Sequence, residues 1–325
     1  MSHQLLNPPI NPYTHKSTIL ITGFTGFVGT NMLPFLTKNN VGPIYGVSRS
    51  DVRGGDLKVI SWDELLNNPL PEKVDTVIHL AGKAHDLRRG VKYSDYEKAN
   101  VVLTQKLFDQ FSVSRASKFI YLSSIKAVGE DPSNQVNEES TIEPNTYYGR
   151  SKAEAEKYII QNCPKDKHYY VLRPALMYGP GIKGNMKLFH DLVSKNIPYP
   201  LGKFENQRSY LSVTNLNIVI AKILEDTPPS GIYHLADDES ISTLDLIRII
   251  AEIKGKKPRV WNVPANLIKL VAKIGDIVPL PLNSNSLEKL TGNMLVSNAK
   301  VKRVFNLKFP VSAANGLKEL FREMD

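Results

Sequence analysis

Ile19-Leu20-Ile21-Thr22-Gly23-Phe24-Thr25-Gly26-Phe27-Val28-Gly29, continuing through mostly apolar residues to Leu36, is the stretch on which the reading of this chain turns. Four β-favouring residues run into glycines and then into a helical pattern. A strand that ends in glycines and feeds a helix start points backbone N–H groups outward, and the helix dipole adds partial positive charge. Such a turn suits an anion, a diphosphate above all. The glycines serve a tight turn, close approach of backbone to phosphate, and close helix–strand packing. Their spacing is Gly-x-x-Gly-x-x-Gly. Pro34 falls inside the expected helix and should kink it or shorten its first part.

Outward from this unit, strand and helix patterns alternate. Strands are expected at Ile44–Val47, ending at Ser48-Arg49, more weakly at Val59-Ile60, then at Thr76–Ala81, Phe119–Leu122 and Tyr169–Leu172. Helices are expected from about Asp95 to Phe111 and from Tyr147 to Asn162, with a loop from Gly129 to Asn145 that carries Pro132 and Pro144. This alternation predicts an α/β fold, a doubly wound parallel sheet whose ligands sit at the carboxyl ends of the strands. Gly23, Ser48, Ala81, Ser124 and Pro174 then share one edge. Beyond Pro180, prolines and glycines break the chain into shorter elements. Helices are expected at Asn185–Asn196, Asn215–Glu225, Ser242–Lys254, Ala265–Ile274 and Ser312–Glu323, and a strand at Gly231–Leu235. Ser242-x-x-Asp245 reads as a capping box. Ala265–Ile274 is amphipathic with Lys269 and Lys273 on its polar side, and fits a core or lobe-packing helix better than a membrane-surface one.

The 325 residues allow one large α/β domain with an appended lobe, or two domains. The division expected is a flexible lead-in over 1–17, a nucleotide-binding domain over 18–175, and a substrate lobe over 176–325 from which a segment near 210–236 returns to the first domain. The net charge of +9 points to small anionic ligands or to a diffuse basic surface, because no nucleic-acid motif accompanies it. The single cysteine, Cys163, excludes an internal disulfide framework and a CxxC metal site, and fits a reducing, cytoplasmic setting. No run of 18 uncharged apolar residues occurs, so membrane insertion is not expected.

Tyr148 and Lys152 stand four apart at the head of a predicted helix, on one face and one turn apart. A phenol with an ordinary pKa near 10 is a poor acid–base group at neutral pH, and a neighbouring ammonium should lower that pKa. Ser124, at a strand end on the same edge, is placed to hydrogen-bond a substrate oxygen, although Ser123-Ser124 also suits a cap or turn. A second Tyr–Lys pair, Tyr199 and Lys203, spans Pro200 and Gly202 and cannot lie on a regular helix.

Taken together, Gly23-x-x-Gly26-x-x-Gly29, His79-Leu80-Ala81-Gly82, Lys98-Ala99-Asn100-Val101, Ser123-Ser124, Tyr148-x-x-x-Lys152 and Arg173-Pro174 with Tyr178-Gly179-Pro180 follow one another in a recognisable order. From Thr18 to Leu320 the chain resembles the extended short-chain dehydrogenase/reductases, in their nucleotide-sugar epimerase/dehydratase branch. The resemblance implies a Rossmann-type sheet with a smaller α/β C-terminal substrate lobe. It implies a catalytic triad in which Ser124 positions the sugar hydroxyl or ketone, Tyr148 moves the proton, and Lys152 tunes Tyr148 and binds ribose. It also implies cofactor contacts from Gly23, Thr25, Gly26, Phe27, Val28, Gly29, Ser48, Arg49, Leu80, Ala81, Gly82, Asn100 and Pro174. Substrate contacts would come from Arg208, on the diphosphate, and from Asn185, because Leu176 stands where the family often has an asparagine. The Ser124–Gly129 segment looks like that of enzymes in O-antigen and capsule sugar pathways. A homodimer through the helices near Asp95–Phe111 and Tyr148–Asn162 is implied as well.

The expected activity is NAD(P)-dependent redox chemistry at C4 of a nucleotide-sugar, a UDP-hexose or a UDP-4-keto-6-deoxy-HexNAc. A 4-ketoreductase ranks ahead of a 4-epimerase, and a non-catalytic NADP-sensing or scaffold protein ranks below both. A 4,6-dehydratase ranks low, since Ile125-Lys126 replaces the usual Asp-Glu after the serine. No metal site is expected. NADP(H) is favoured over NAD(H): the second strand ends in Ser48-Arg49-Ser50, where an acid would select NAD, and the first acid is Asp51.

Overall fold

The computed structural model describes residues 16–39, 42–49, 57–84, 91–129, 135–182, 184–278 and 282–324; the chain up to residue 15, Asp51 and Pro132 lie outside them. Among the described residues the strands are β1 (Ile19–Thr22), β2 (Ile44–Ser48), β3 (Leu57–Ser61), β4 (Thr76–His79), β5 (Lys118–Leu122), β6 (His168–Pro174), β7 (Leu176–Tyr178), β8 (Arg208–Ser212), β9 (Gly231–Leu235) and β10 (Ser240–Ile241). Seven of them form one sheet in the order β3-β2-β1-β4-β5-β6-β9, and every pairing in it is parallel. The central strands β1, β4 and β5 are buried along their whole length because both faces are covered. One face packs Phe35 and Leu36 of the helix Phe27–Lys38 with Leu216, Val219 and Ile220 of the helix Val213–Glu225. The other packs Leu107, Phe108 and Phe111 with Ala155 and Ile159 of the helix Tyr147–Asn162.

The fold corrects two expectations. Pro34 does not interrupt its helix, which runs unbroken from Phe27 to Lys38. Pro34 and Thr30 are both exposed, so water reaches the carbonyl that the proline leaves without a donor. The single helix expected over Asp95–Phe111 is composite: an α-turn at Tyr93–Tyr96, a π-helical segment at Glu97–Val102 and an α-helix at Leu103–Val113. The wide turns surround Asn100, which is fully buried and held by side-chain bonds described below. Such π segments occur often at functional sites.

The lobe has a core of its own. It gathers Tyr178, Met186, Phe189, Leu246, Ile250, Leu317 and Phe321 beside the small sheet β10-β8-β7. The helix Ala265–Ile277 contributes only Ile268, Ala272 and Gly275 to the interior and leaves its other apolar residues in solvent. β9 lies in the large sheet beside β6. Two lysines tie helix ends to the sheet: Lys118 Nζ donates to the carbonyls of Ile223 at 2.7 Å and Asp226 at 2.8 Å, and Lys167 Nζ to those of Phe111 at 2.8 Å and Ser114 at 2.6 Å. Cations at a helix C-terminus satisfy its orphan carbonyls and its dipole together.

Candidate active site

The sheet order reverses between β1 and β4, and the glycine turn meets the end of β4 at that point. Gly23 has φ +72°, and a Cβ there would lie 2.6 Å from the Ala81 nitrogen. Gly26 is the N-cap of the helix Phe27–Lys38; no side chain caps that helix, and no acid occupies its first turn. Exposed Thr25 and Gly26, half-buried Phe27 and buried Val28 and Gly29 complete the turn. The uncapped N–H groups and the backbone cradle fit a dinucleotide diphosphate. Ser48, buried, and Arg49, exposed, stand at the end of β2 on the same edge, with Leu80, Ala81 and Gly82 after β4 and Pro174 at the end of β6.

Ser124 follows β5, and its Oγ accepts from Lys126 N at 3.3 Å, so it caps the short 3-10 turn Ile125–Ala127. It also hydrogen-bonds the Tyr148 phenol. Thr146 caps the helix Tyr147–Asn162 by accepting from Gly149 N at 3.1 Å, which sets Tyr148 in the first turn. Lys152, one turn on, is buried; its Nζ donates to Leu122 O at 2.8 Å and lies 4.6 Å from the Tyr121 ring. Burial, the largest influence on Tyr148, pushes its pKa up to about 12 against the Ser124 bond. Burial also lowers Lys152 to about 8, with Glu156 acting in the opposite direction. The expected lowering of the phenol by Lys152 is thus not what the protein does: burial raises it, only the Ser124 hydrogen bond opposes burial, and the Lys152 ammonium is turned onto the Leu122 carbonyl.

Two buried networks hold these groups, and sequence reading missed both. In the first, Thr104 Oγ1 donates to Asn100 O at 2.7 Å and so accepts from His79 Nε2 at 2.9 Å. His79 Nδ1 then accepts from Thr22 Oγ1 at 2.6 Å, and that oxygen accepts from Ala81 N at 3.2 Å. Burial first, then Lys152, holds His79 down near a pKa of about 3, so the ring is neutral, as this chain of bonds requires. Asn100 continues the network: its Oδ1 accepts from Lys83 N at 2.7 Å, and its Nδ2 donates to Ser151 Oγ at 2.9 Å, next to Lys152. In the second, Arg173 Nη2 reaches Glu156 Oε2 at 2.5 Å and Nε reaches Oε1 at 3.0 Å, while Ser123 Oγ donates to the same carboxylate. The one visible signal was spacing, since Glu156 follows Tyr148 and Lys152 by four-residue steps.

Arg208 opens β8 in the lobe, half-buried, and its Nε donates to Gly292 O at 2.9 Å. Gly292 and Phe204 border an open cavity of about 490 Å³ between the helices Ala265–Ile277 and Ser284–Thr291. Asn185, exposed at the start of the helix Asn185–Ser194, has no described contact with Arg208. Among the described residues no three His, Cys, Asp or Glu side chains gather to hold a metal, and no helix is long and apolar enough to cross a membrane.

A glycine cradle at the sheet's switch point, with a Ser, a Tyr and a Lys beside it, defines a dinucleotide-dependent enzyme class. The chain belongs to the NAD dependent epimerase/dehydratase family, which residues 19–236 match. It is 31% identical over 316 residues to a UDP-glucose 4-epimerase of Vibrio cholerae, covering 93% of this chain and 94% of that protein. A UDP-glucuronic acid 4-epimerase of Bacillus cereus, solved with NAD, superposes with a TM-score of 0.73 at 19% identity, covering 94% of this chain and 95% of its own. A human epimerase family protein solved with NADPH gives 0.74 at 17% identity, covering 94% and 98%. These two likenesses are of fold.

Proposed function

We propose that the protein is an NADP(H)-dependent 4-ketoreductase that reduces the C4 ketone of a UDP-4-keto-6-deoxy-HexNAc in the supply of surface polysaccharide precursors. The observation that carries redox chemistry at C4 is the convergence of Ser124, Tyr148 and Lys152 beside the uncapped helix start at Gly26, which serves reduction and epimerisation alike. A bound nicotinamide supplies the two-electron chemistry. The protein's own residues hold and protonate: Ser124 hydrogen-bonds the C4 oxygen, Tyr148 gives its proton to that oxygen as charge grows there, and Lys152 offsets the charge left on the phenolate. The raised pKa of Tyr148 keeps it protonated until substrate and cofactor arrive. Arg208 grips the diphosphate bidentately beside the lobe cavity, with Asn185 toward the nucleotide end. Ser48 and Arg49 favour a 2′-phosphate, and a cofactor drawn from the reducing NADPH pool suits net reduction.

The second reading is a UDP-sugar 4-epimerase, favoured by the similarity to the Vibrio cholerae enzyme along nearly the whole chain. There the same tyrosine first accepts the proton and then returns it. A non-catalytic cofactor sensor ranks below both, because Tyr148 and Lys152 are retained. Incubation with UDP-sugars and UDP-4-keto-6-deoxy sugars, with either cofactor and NMR of the product, separates the readings. Stoichiometric NADPH consumption supports the reductase. Product without net cofactor change replaces it with the epimerase, and no turnover of any of them overturns both.

A further inference from the structure

The helix Ala265–Ile277 is built as if something covered its outer side. Ile268, Ala272 and Gly275 face the lobe, and contact at Gly275 is so close that a Cβ there would sit 1.9 Å from Leu282 O. The rest of its apolar residues form a stripe at i, i+3, i+4, i+7 and i+10: Leu267, Leu270, Val271, Ile274 and Ile277, between 37% and 88% exposed. Val278, the C-cap, and Trp261, four residues before the helix, are exposed as well. A helix of a globular lobe normally turns such a stripe inward.

The charge around it is equally uneven. Residues 254–278 contain six basic side chains, Lys254, Lys256, Lys257, Arg259, Lys269 and Lys273, and one acid, Asp276. This excess of five, out of nine for the whole chain, falls in 25 residues. Asp276 is already engaged, accepting from Ser284 N at 2.9 Å and from Ser284 Oγ at 2.6 Å. Lys269 and Lys273 flank the stripe on the side of the cavity that they line with Glu288. Lys257 and Arg259 stand exposed in the segment that leads into the helix. There Arg259 donates to Asn196 O at 3.0 Å and Lys256 to Ser194 O at 2.6 Å.

We propose that this face lies on an anionic lipid surface, with the apolar stripe at the headgroup–acyl boundary and the lysines among the headgroup phosphates. An exposed apolar stripe, flanking lysines and a neighbouring tryptophan are the features of helices that lie in the membrane plane without crossing it. Juxtaposed cations add attraction that salt screens. A protein partner would need a complementary acidic groove; a lipid surface needs only negative charge, and the surplus of cations supplies the match.

The test is co-sedimentation of the full chain with vesicles of equimolar phosphatidylglycerol and phosphatidylcholine, and with vesicles of phosphatidylcholine alone. Binding to the anionic vesicles, weakened by high salt and at least about tenfold weaker for Leu270→Gln/Ile274→Gln, supports the proposal. Cofactor affinity and the circular dichroism spectrum of that variant should equal those of the wild type, since neither side chain supports the core. Lys257→Gln/Lys269→Gln should weaken binding to anionic vesicles as well. No sedimentation with anionic vesicles at low salt overturns the proposal. Equal sedimentation of the stripe variant and the wild type overturns it too, leaving only diffuse electrostatic adsorption. A wild-type oligomer mass that falls on Leu270→Gln/Ile274→Gln, without any lipid effect, assigns the face to a second copy of the chain instead.

Discussion

The Glu156 carboxylate and the Arg173 guanidinium meet at 2.5 Å in a part of the interior closed to solvent, one helical turn beyond Lys152. The pair joins the helix that carries Tyr148 to the strand that ends at Pro174. Its carboxylate also raises the pKa of Lys152 against the effect of burial.

Removing one partner of such a pair leaves an uncompensated buried charge. Glu156→Leu should therefore cost about 3–5 kcal/mol of stability. Glu156→Leu with Arg173→Met should recover much of that loss, because both charges go. Urea unfolding of the two variants beside the wild type measures the difference, and equal losses would mean that the pair is not the origin of the effect.

Acid should destabilise the fold before it reaches the ordinary carboxylate range. Burial, assisted by Lys152 for His79 and by Arg173 for His234, lowers both imidazoles to about 3. Between pH 6.5 and 3 the unfolded chain therefore binds protons that the folded chain refuses. The stability is present above pH 6.5 and is lost as pH falls. Asp237 works the other way: burial raises it to about 6, so the folded state holds its proton first. Two histidines held near 3 against one aspartate leave a net of at least about one proton, or about 1.4 kcal/mol per pH unit near pH 5. His190, lowered mainly by burial, acts in the same direction. Unfolding midpoints from pH 4 to 7 test the slope, and a flat profile would contradict it.

Much of this was legible in the chain itself. Gly23, Gly26 and Gly29 after four β-favouring residues located the cradle, since a strand–glycine–helix sequence has few geometries. The bounds of Gly231–Leu235 and Tyr147–Asn162 follow from local patterns of burial and capping, and the structure has both at those residues. Long-range partnerships were not legible. Nothing local says that Thr22, His79 and Thr104 share a proton chain, or that Glu156 finds Arg173. The short strands β7, β8 and β10 have too few residues to show a period. The orientation of Ala265–Ile277 also escaped, because its pattern shows that two faces differ and not which one meets the lobe.

Arg49→Ala should weaken NADPH binding by about 5- to 30-fold, the worth of one charge-assisted contact, and leave NADH binding almost unchanged. Fluorescence titration with both cofactors checks this. Equal losses for the two, or tighter NADH than NADPH binding by the wild type, would contradict the cofactor preference proposed above.

A homodimer through the helices Leu103–Val113 and Tyr147–Asn162 predicts a mass near twice 36.4 kDa by light scattering at micromolar concentration. Leu107, Phe108 and Phe111 face the sheet, so the outward apolar contribution reduces to residues such as Val102 and Ile160. Val102→Glu/Ile160→Glu should then shift the mass toward the monomer. A wild-type monomer would remove the dimer.

The central claim is that Tyr148 moves the proton at the sugar oxygen, held by Ser124 and backed by Lys152. Tyr148→Phe removes one hydroxyl and keeps the ring packed near Tyr96, whose centroid lies 6.4 Å away. Turnover of a UDP-4-keto-6-deoxy sugar should fall by roughly 10²–10⁴, the usual worth of a positioned acid–base group, with cofactor affinity and unfolding midpoint nearly unchanged. Turnover at the wild-type rate in this variant would contradict the account.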